Sequence, residues 1–277
     1  MVFIALIVWL IYQLGYIGST GLLFGALISP LASLSGYWWG DKIILSTLKA
    51  VPATRQEQFS FFTAAENISL AARIPMPRLY VIKSSALNAF ATGRDEKHAV
   101  VCATTGLLVS LEKREIEAVV AHEISHIKNY DTRLMTIVTV LVGFLAILAD
   151  MFSRGAFISG RSNSDRSRGS GLFALVGFFL ILFSPLIAQL IQLAISRRRE
   201  FLADAGSAML TRNPAALVSA LTRLSLDKND LRSASLATEN LFIVNPFKSD
   251  RFFARITSLF STHPPLEDRL SALRKML

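Results

Sequence analysis

The chain has 277 residues, of which 52% are hydrophobic and only 18% are charged, and its formal net charge is +9. Because an ordinary soluble domain has about 25% charged residues, this composition excludes a disordered chain and disfavours a domain entirely surrounded by water. The single cysteine excludes a disulfide framework and a zinc site built from cysteines alone.

Two uncharged apolar segments begin the chain, at residues 2–18 and 21–40. Each is close to the ~20 residues that a helix needs to cross a bilayer, and Trp38 and Trp39 are typical of the aromatic belt at its surface. No basic residue precedes the first segment, which disfavours a cleavable signal peptide. We therefore predict a transmembrane hairpin over residues 1–40, with a lipid bilayer and no nucleic acid as the partner of this basic chain.

Residues 41–133 are polar enough to lie in water and are predicted to form the first part of a globular domain. The run from Thr54 to Glu57 has the pattern of a capping box at the start of a helix. Ser110 is a candidate N-cap for a long helix that reaches residue 130. Three apolar runs between these helices are predicted to be extended: residues 78–82, 87–93 and 97–103.

Two further apolar segments, residues 134–149 and 172–195, flank a loop rich in Ser, Gly and Arg. Their lengths favour a second transmembrane hairpin over residues 134–195, although the arginines of the loop disfavour its export. The two segments either cross the bilayer, dip into it and return, or form two buried helices of a soluble core. We favour two crossings.

Residues 196–277 are polar again and are predicted to form the second part of the globular domain. Three helices are expected there, from Arg197 to about Thr211, from Asn213-Pro214, and from Pro264-Pro265 to near Leu277. The sequence therefore predicts an α+β fold that is mostly helical with one small sheet. This domain belongs to a multi-pass membrane protein and is split in sequence by the second hairpin.

The strongest motif is H-E-x-x-H, formed by His122, Glu123 and His126. Side chains four residues apart lie on one face of a helix, so the two imidazoles can bind one ion. Glu123 stands beside them, in the position of a general base for the water that attacks a peptide carbonyl. The motif predicts a zinc site, with two surface histidines on a helix as the alternative.

Two histidines are too few for a catalytic zinc, which has three protein ligands and is often bound by two His and one Glu. Glu200, on the predicted helix that begins at Arg197, is the candidate third ligand. Asp204, one turn later, can accept a hydrogen bond from a zinc-bound histidine. By itself this Glu-x-x-x-Asp spacing is also compatible with an ordinary basic helix beside a membrane.

Four segments occur in a specific order: LNAFATG (residues 87–93), AVVAHEISHIKNYD (118–131), SRRREFLADAGSA (196–208) and THPPLEDRLSAL (262–273). Together with the four apolar segments they resemble the HtpX family of membrane-bound zinc metalloproteases, which are relatives of the CaaX prenyl protease. The resemblance implies a gluzincin-like protease domain with one Zn²⁺ per chain. It also implies cleavage of damaged or misfolded membrane proteins on the cytoplasmic side of the cell membrane, in quality control and the stress response.

The resemblance assigns roles to particular residues. His122, His126 and Glu200 match the zinc ligands of the family. Glu123 matches its catalytic base, and Asp204 matches the acidic residue of its Glu-x-x-x-Asp element.

Two further assignments depend on the resemblance. His263, in the Thr-His-Pro-Pro motif, is a candidate hydrogen-bond donor to the oxyanion of the transition state, with a capping or surface histidine as the alternative. Asn88, Ala89 and Phe90 are predicted to lie on an edge strand to which an extended substrate adds by main-chain hydrogen bonds. Asn88 is expected to reach a substrate amide, and the alternative is a buried strand with a polar turn.

The competing functions are a membrane adaptor that binds anionic lipid, an inactive protease relative and a prenyl-protein protease. Both Glu123 and Glu200 are present, which favours an enzyme, and a prenyl-protein protease would need more membrane segments than the chain has. Residues 1–40 contain no Lys or Arg, so the positive-inside rule puts the catalytic residues in the cytoplasm.

Overall fold

The computed structural model describes the following ranges of the chain: residues 37–140, 142–143, 197–235, 237–247 and 264–277. Most of both predicted hairpins, over residues 1–40 and 134–195, lies outside these ranges, and so does His263. Within the described ranges no helix is both long and apolar enough to cross a bilayer. The prediction of a mostly helical α+β fold with one small sheet is confirmed.

The sheet has four strands: β1 (Val51–Pro52), β2 (Arg78–Ile82), β3 (Ala89–Thr92) and β4 (Val100–Thr104). Their order is β1-β2-β4-β3, with β2 and β4 parallel and both outer strands antiparallel to their neighbours. β3 therefore lies at an edge of the sheet. β4 begins later than the predicted strand at 97–103, because Asp95 caps a short 3-10 turn by accepting from the N–H of His98 at 2.9 Å.

The helices are α1 (37–47), α2 (Phe59–Ala72), α3 (Thr105–Ser110), α4 (Lys113–Lys128), α5 (131–140), α6 (Arg197–Thr211), α7 (Pro214–Leu226) and α8 (Leu266–Arg274). α4 is central, since it packs against α2, α6, α7 and β3. Its larger buried apolar side chains belong to the main core and are Ile116, Val119, Val120, Ile124 and Ile127.

Two predicted helix starts are wrong. Thr54 caps no helix: α2 begins only at Phe59, and the N–H of Thr54 instead donates to Oε1 of Gln58 at 2.8 Å. Ser110 ends α3 instead of starting a long helix, and α4 begins after Glu112, whose N–H donates to Glu115 at 2.8 Å. The observed N-caps are Gln58 for α2 and Glu112 for α4, and Glu112 forms a capping box with Glu115.

A glycine allows α4 and α6 to approach closely. A Cβ atom at Gly206 would lie 2.9 Å from Cβ of Ser125, closer than two carbon atoms can pack. One residue further, the hydroxyl of Ser207 donates to the carbonyl of Ala118 at 2.7 Å. This contact brings the start of α6 beside the end of α4, and therefore Glu200 beside the two motif histidines.

Candidate metal centre

The two motif histidines lie on the buried face of α4. His122 and His126 are 1% and 5% exposed, and their Nε2 atoms are 3.2 Å apart. Their rings meet edge to face, with centroids 4.7 Å apart. Because residues i and i+4 share one face of a helix, α4 alone fixes this pair.

α6 brings the third predicted ligand to the same point. Oε1 of Glu200 lies 3.6 Å from Nε2 of His126, and Oε2 lies 3.7 Å from Nε2 of His122. Glu200 is 2% exposed. Among the described residues, these three form a cluster whose ligand atoms can hold one metal ion.

The arrangement of the ligand atoms fits a tetrahedral ion. A tetrahedron with bonds of about 2.1 Å, as in zinc sites, has edges of about 3.4 Å between neighbouring ligand atoms. The two Nε2 atoms are 3.2 Å apart, which is close to such an edge, and each of them lies near a different oxygen of Glu200, at 3.6 Å (His126 to Oε1) and 3.7 Å (His122 to Oε2). Two imidazole nitrogens and one carboxylate oxygen also match the His₂Glu donor set of catalytic zinc sites.

Two carboxylates orient the imidazoles from behind. Nδ1 of His122 lies 3.0 Å from Asp204, and Nδ1 of His126 lies 3.0 Å from Asp131. A carboxylate at Nδ1 holds the proton there and leaves the lone pair of Nε2 for a metal. Asp204 was expected in this position. Asp131 was not, and it arrives there because Tyr130 takes a left-handed φ of 59° that ends α4 and lets α5 begin.

Glu123 lies at the wall of the site but outside the ligand cluster. Its side chain lines the same cavity as His122, His126 and Glu200, and its carboxylate accepts a hydrogen bond from the backbone N–H of Ala91. Burial raises the pKa of Glu123 to about 7, with the charge of Glu200 adding to this effect and His126 opposing it. A carboxylate with a pKa near neutrality can both accept and return a proton.

The protonation of His126 makes metal binding depend on pH. Burial lowers the pKa of His126, but its hydrogen bond to Asp131 and the charges of Glu200 and Glu123 outweigh burial and raise the pKa to about 9. Burial lowers the pKa of His122, so that ring is already neutral. A metal must therefore displace one proton from His126 at neutral pH.

We expect the metal affinity to fall about tenfold for each unit by which the pH is lowered below about 9, since one proton competes with the metal. Titration of the metal-free protein with Zn²⁺ against a competing chelator, between about pH 6 and 8, measures this slope. An affinity that does not change over this range would show that His126 binds no displaceable proton.

The sequence interpretation missed Arg269 of α8, which contacts two carboxylates of the site. It is 2% exposed. Its guanidinium binds Asp204 through two hydrogen bonds of 2.8 and 2.7 Å, and its Nη1 lies 3.2 Å from Oε2 of Glu200. The guanidinium outweighs burial and keeps the pKa of Asp204 below its ordinary value. Arg269 thus stabilises both carboxylates in their charged form.

Replacement of Arg269 by Met is expected to lower the free energy of unfolding by about 3–5 kcal/mol, because it leaves two buried carboxylates without their cation. The matched control is Arg55→Met. Arg55 also binds a carboxylate through two nitrogens, but this pair with Glu66 lies on the surface. That change should cost at most about 1 kcal/mol. Denaturant unfolding of the two variants in detergent compares them, and equal losses would contradict a special role of the buried pair.

The predicted substrate residues, Asn88 before β3 and Ala89 and Phe90 within it, are all buried in this structure. Asn88, Ala89 and Phe90 are 1–2% exposed. The side-chain amide of Asn88, expected to reach a substrate, instead donates to the carbonyl of Val244 at 2.9 Å. The edge of β3 that faces away from β4 is thus covered by another part of the chain, residues 241–244.

Two functional candidates were present in the quoted motifs but received no role from sequence. Asp131 closes the segment 118–131, and Arg269 lies in the segment 262–273. No local signal distinguishes them, because each stands among other polar and charged residues: Asp131 is close to Lys128 and Arg133, and Arg269 follows Glu267 and Asp268. The oxyanion assignment of His263 remains a prediction, because this residue lies outside the described ranges.

Comparisons with protein families and with known proteins give consistent matches along the chain. The family model described as peptidase family M48 matches residues 58–277. The chain is 38% identical to a protease HtpX homolog of Caldanaerobacter subterraneus subsp. tengcongensis, over 99% of this chain and 93% of the relative. It is 41% identical to a protease HtpX homolog of Syntrophobacter fumaroxidans (98% and 95% covered) and 40% identical to one of Pyrococcus furiosus (98% and 93% covered).

A solved structure shares the fold. The crystal structure of S. mikatae Ste24p matches 98% of this chain with a TM-score of 0.52 and 21% sequence identity. The chain spans 62% of the length of that protein.

Proposed function

Because the chain belongs to peptidase family M48 and aligns with HtpX proteases along nearly its whole length, we propose that it is a membrane-bound zinc endopeptidase. Its proposed substrates are damaged or misfolded membrane proteins, cleaved on the cytoplasmic side of the cell membrane in quality control and the stress response. The observation that carries the proposal is the buried cluster of His122, His126 and Glu200 with Glu123 beside it.

The residues of the site divide the chemistry between them. His122, His126 and Glu200 would hold the zinc, which when bound makes a water more acidic and polarises the peptide carbonyl. Glu123 takes the proton of the attacking water and then gives a proton to the leaving amine. The raised pKa of Glu123, about 7, suits both steps.

The remaining groups position the reacting ones. Asp204 and Asp131 hold the imidazoles in the tautomer that leaves Nε2 free for the metal. His263 is the proposed donor to the oxyanion, in addition to the metal. An inactive adaptor would not need this complete set of buried, mutually oriented charged groups, whose burial is unfavourable in itself.

The substrate is proposed to bind along β3 as an added strand. Ala89 presents its carbonyl to the open edge of the sheet, where it accepts a backbone N–H within the chain. Asn88 and Phe90 flank it, so the three can contact an extended peptide backbone beside the metal.

The test is metal-dependent cleavage by the purified full-length protein in detergent. An unfolded membrane protein is incubated with the zinc-loaded protein, and new termini are identified by mass spectrometry. We expect cleavage that stops after removal of the metal by a chelator and returns when Zn²⁺ is restored. Cleavage unaffected by complete metal removal, or no cleavage by a fully loaded preparation, would contradict the proposal.

A further inference from the structure

A short segment of the chain lies along the open edge of β3. We call residues 241–244, Leu-Phe-Ile-Val, the strap. Phe242 forms an antiparallel bridge with Phe90, and the N–H of Ile243 donates to the carbonyl of Ala89 at 3.0 Å. The strap therefore pairs with β3 as the first residues of an added antiparallel strand do.

The side chain of Asn88 binds the backbone of the strap. Its Nδ2 donates to the carbonyl of Val244 at 2.9 Å, and its Oδ1 lies 3.4 Å from the N–H of the same residue. An amide that pairs with both backbone groups of one residue recognises an extended chain and makes no contact specific for a side chain.

The strap also closes the metal site. Leu241, Phe242 and Ile243 line the cavity that contains the metal ligands, and this cavity leaves about 10 Å³ for the centre of a water molecule. This volume suffices for one water and not for a peptide. The carbonyl of Ile243 accepts a hydrogen bond from Nη1 of Arg269 at 3.2 Å, so the backbone of the strap reaches the charged groups of the site.

All four side chains of the strap are apolar, and those of Leu241, Phe242 and Ile243 are buried. Phe242 and Ile243 are 1% and 3% exposed, and the ring of Phe242 meets that of Phe90 edge to face at 5.3 Å. Any peptide that takes this place must refill the same apolar contacts, since otherwise it leaves apolar surface uncovered.

We propose that the strap occupies the position of the substrate, and that an extended apolar segment of a substrate binds by replacing it. This inference rests on the proposed function and names the substrate class. Each backbone hydrogen bond that the strap loses is one that the incoming peptide can make, so the exchange is nearly balanced for apolar peptides. Polar peptides lack the apolar side chains that would replace those of the strap. Folded proteins present no free extended segment, so neither class can replace the strap. A peptide can bind only while the strap is released. The apparent affinity for every peptide is therefore its intrinsic affinity multiplied by the fraction of protein in which the strap is released.

The first test compares Ile243→Pro with Ile243→Ala. Both variants lose the Ile side chain, but only proline loses the N–H that bonds to Ala89. The probe is a fluorescently labelled extended peptide of Phe, Val and Leu with charged ends, bound to zinc-loaded full-length protein that also carries Glu123→Gln. We expect the proline variant to bind the probe about fivefold more tightly than the alanine variant, the factor for one net backbone hydrogen bond. Equal or weaker binding by a folded proline variant would overturn the proposal.

The second test leaves the strap unchanged and follows amide hydrogen exchange of the same Glu123→Gln protein. Adding the apolar peptide is expected to speed exchange at Ile243 and Val244, and a matched peptide with Ser at the apolar positions should change nothing. If the apolar peptide binds while the strap amides keep their protection, or if it does not bind at all, the proposal is wrong. Cleavage by the unsubstituted protein is measured separately. If the protein cleaves peptides while the strap amides stay protected from exchange, only the replacement of the strap is refuted. If the peptide speeds exchange in the strap but no cleavage occurs, only the proposed peptidase activity is refuted.

Discussion

Replacement of Glu123 by Gln is expected to abolish peptide hydrolysis while the metal remains bound. Glutamine has nearly the same size as glutamate and can still accept the N–H of Ala91, but it cannot take a proton from the attacking water. His122, His126 and Glu200 keep their separations of 3.2–3.7 Å. Loss of general acid–base catalysis should lower kcat by about 10²–10⁴-fold or more.

The matched control for this variant is Glu115→Gln. Glu115 is a buried glutamate of the same helix, 4% exposed, but it binds Ser219 and the N–H of Glu112, away from the metal site. This variant should keep both metal and activity, although its stability can fall. Metal analysis and a peptide cleavage assay on both proteins make the comparison. Substantial cleavage by metal-loaded Glu123→Gln protein would remove Glu123 from the role of general base.

Local geometry explains why part of the site was predictable from sequence. His122 and His126 share a face because the helical repeat places them there, whatever the rest of the fold does. The same repeat relates Glu200 to Asp204 on α6. What joins the two helices is the contact at Gly206, which the sequence analysis did not predict.

Contacts between residues far apart in the chain explain why the rest was not predictable. Arg269 binds Asp204 across 65 residues, and Asn88 binds Val244 across 156 residues. Hydrophobic periodicity reports which face of one element is buried, but it carries no information on which buried charges meet. The misplaced starts of α2 and α4 have a smaller cause, since the observed N-caps, Gln58 and Glu112, are not among the residue types that most favour this position.

The balance of charge in the site favours a cation. Glu123, Asp131, Glu200 and Asp204 are all buried, and Arg269 is the one Lys or Arg that is fully buried within the described ranges. Arg269 is already bound to Asp204 and close to Glu200. A divalent ion between the histidines and Glu200 would displace the proton of His126 and still add one positive charge beside these carboxylates. We therefore infer that metal binding also contributes to the stability of the folded protein.

Glu200→Gln tests that inference together with the third ligand. A neutral carboxamide is a much poorer zinc ligand than a carboxylate, and two histidines alone bind zinc weakly, so we expect loss of both the metal and the activity. Asp204→Asn is the comparison with a smaller expected effect. Asp204 contacts a ligand but does not bind the metal itself, so the affinity should fall by only about 10–100-fold.

Competition with a chelator ranks the zinc affinities of the two variants, and unfolding with and without added Zn²⁺ measures the stability that the metal provides. We expect added Zn²⁺ to stabilise the unsubstituted protein strongly, Asp204→Asn partly and Glu200→Gln hardly at all. A Glu200→Gln protein that still binds one zinc as tightly as Asp204→Asn would show that another side chain is the third ligand. Loss of a metal ligand must weaken zinc binding more than loss of a residue that only contacts a ligand.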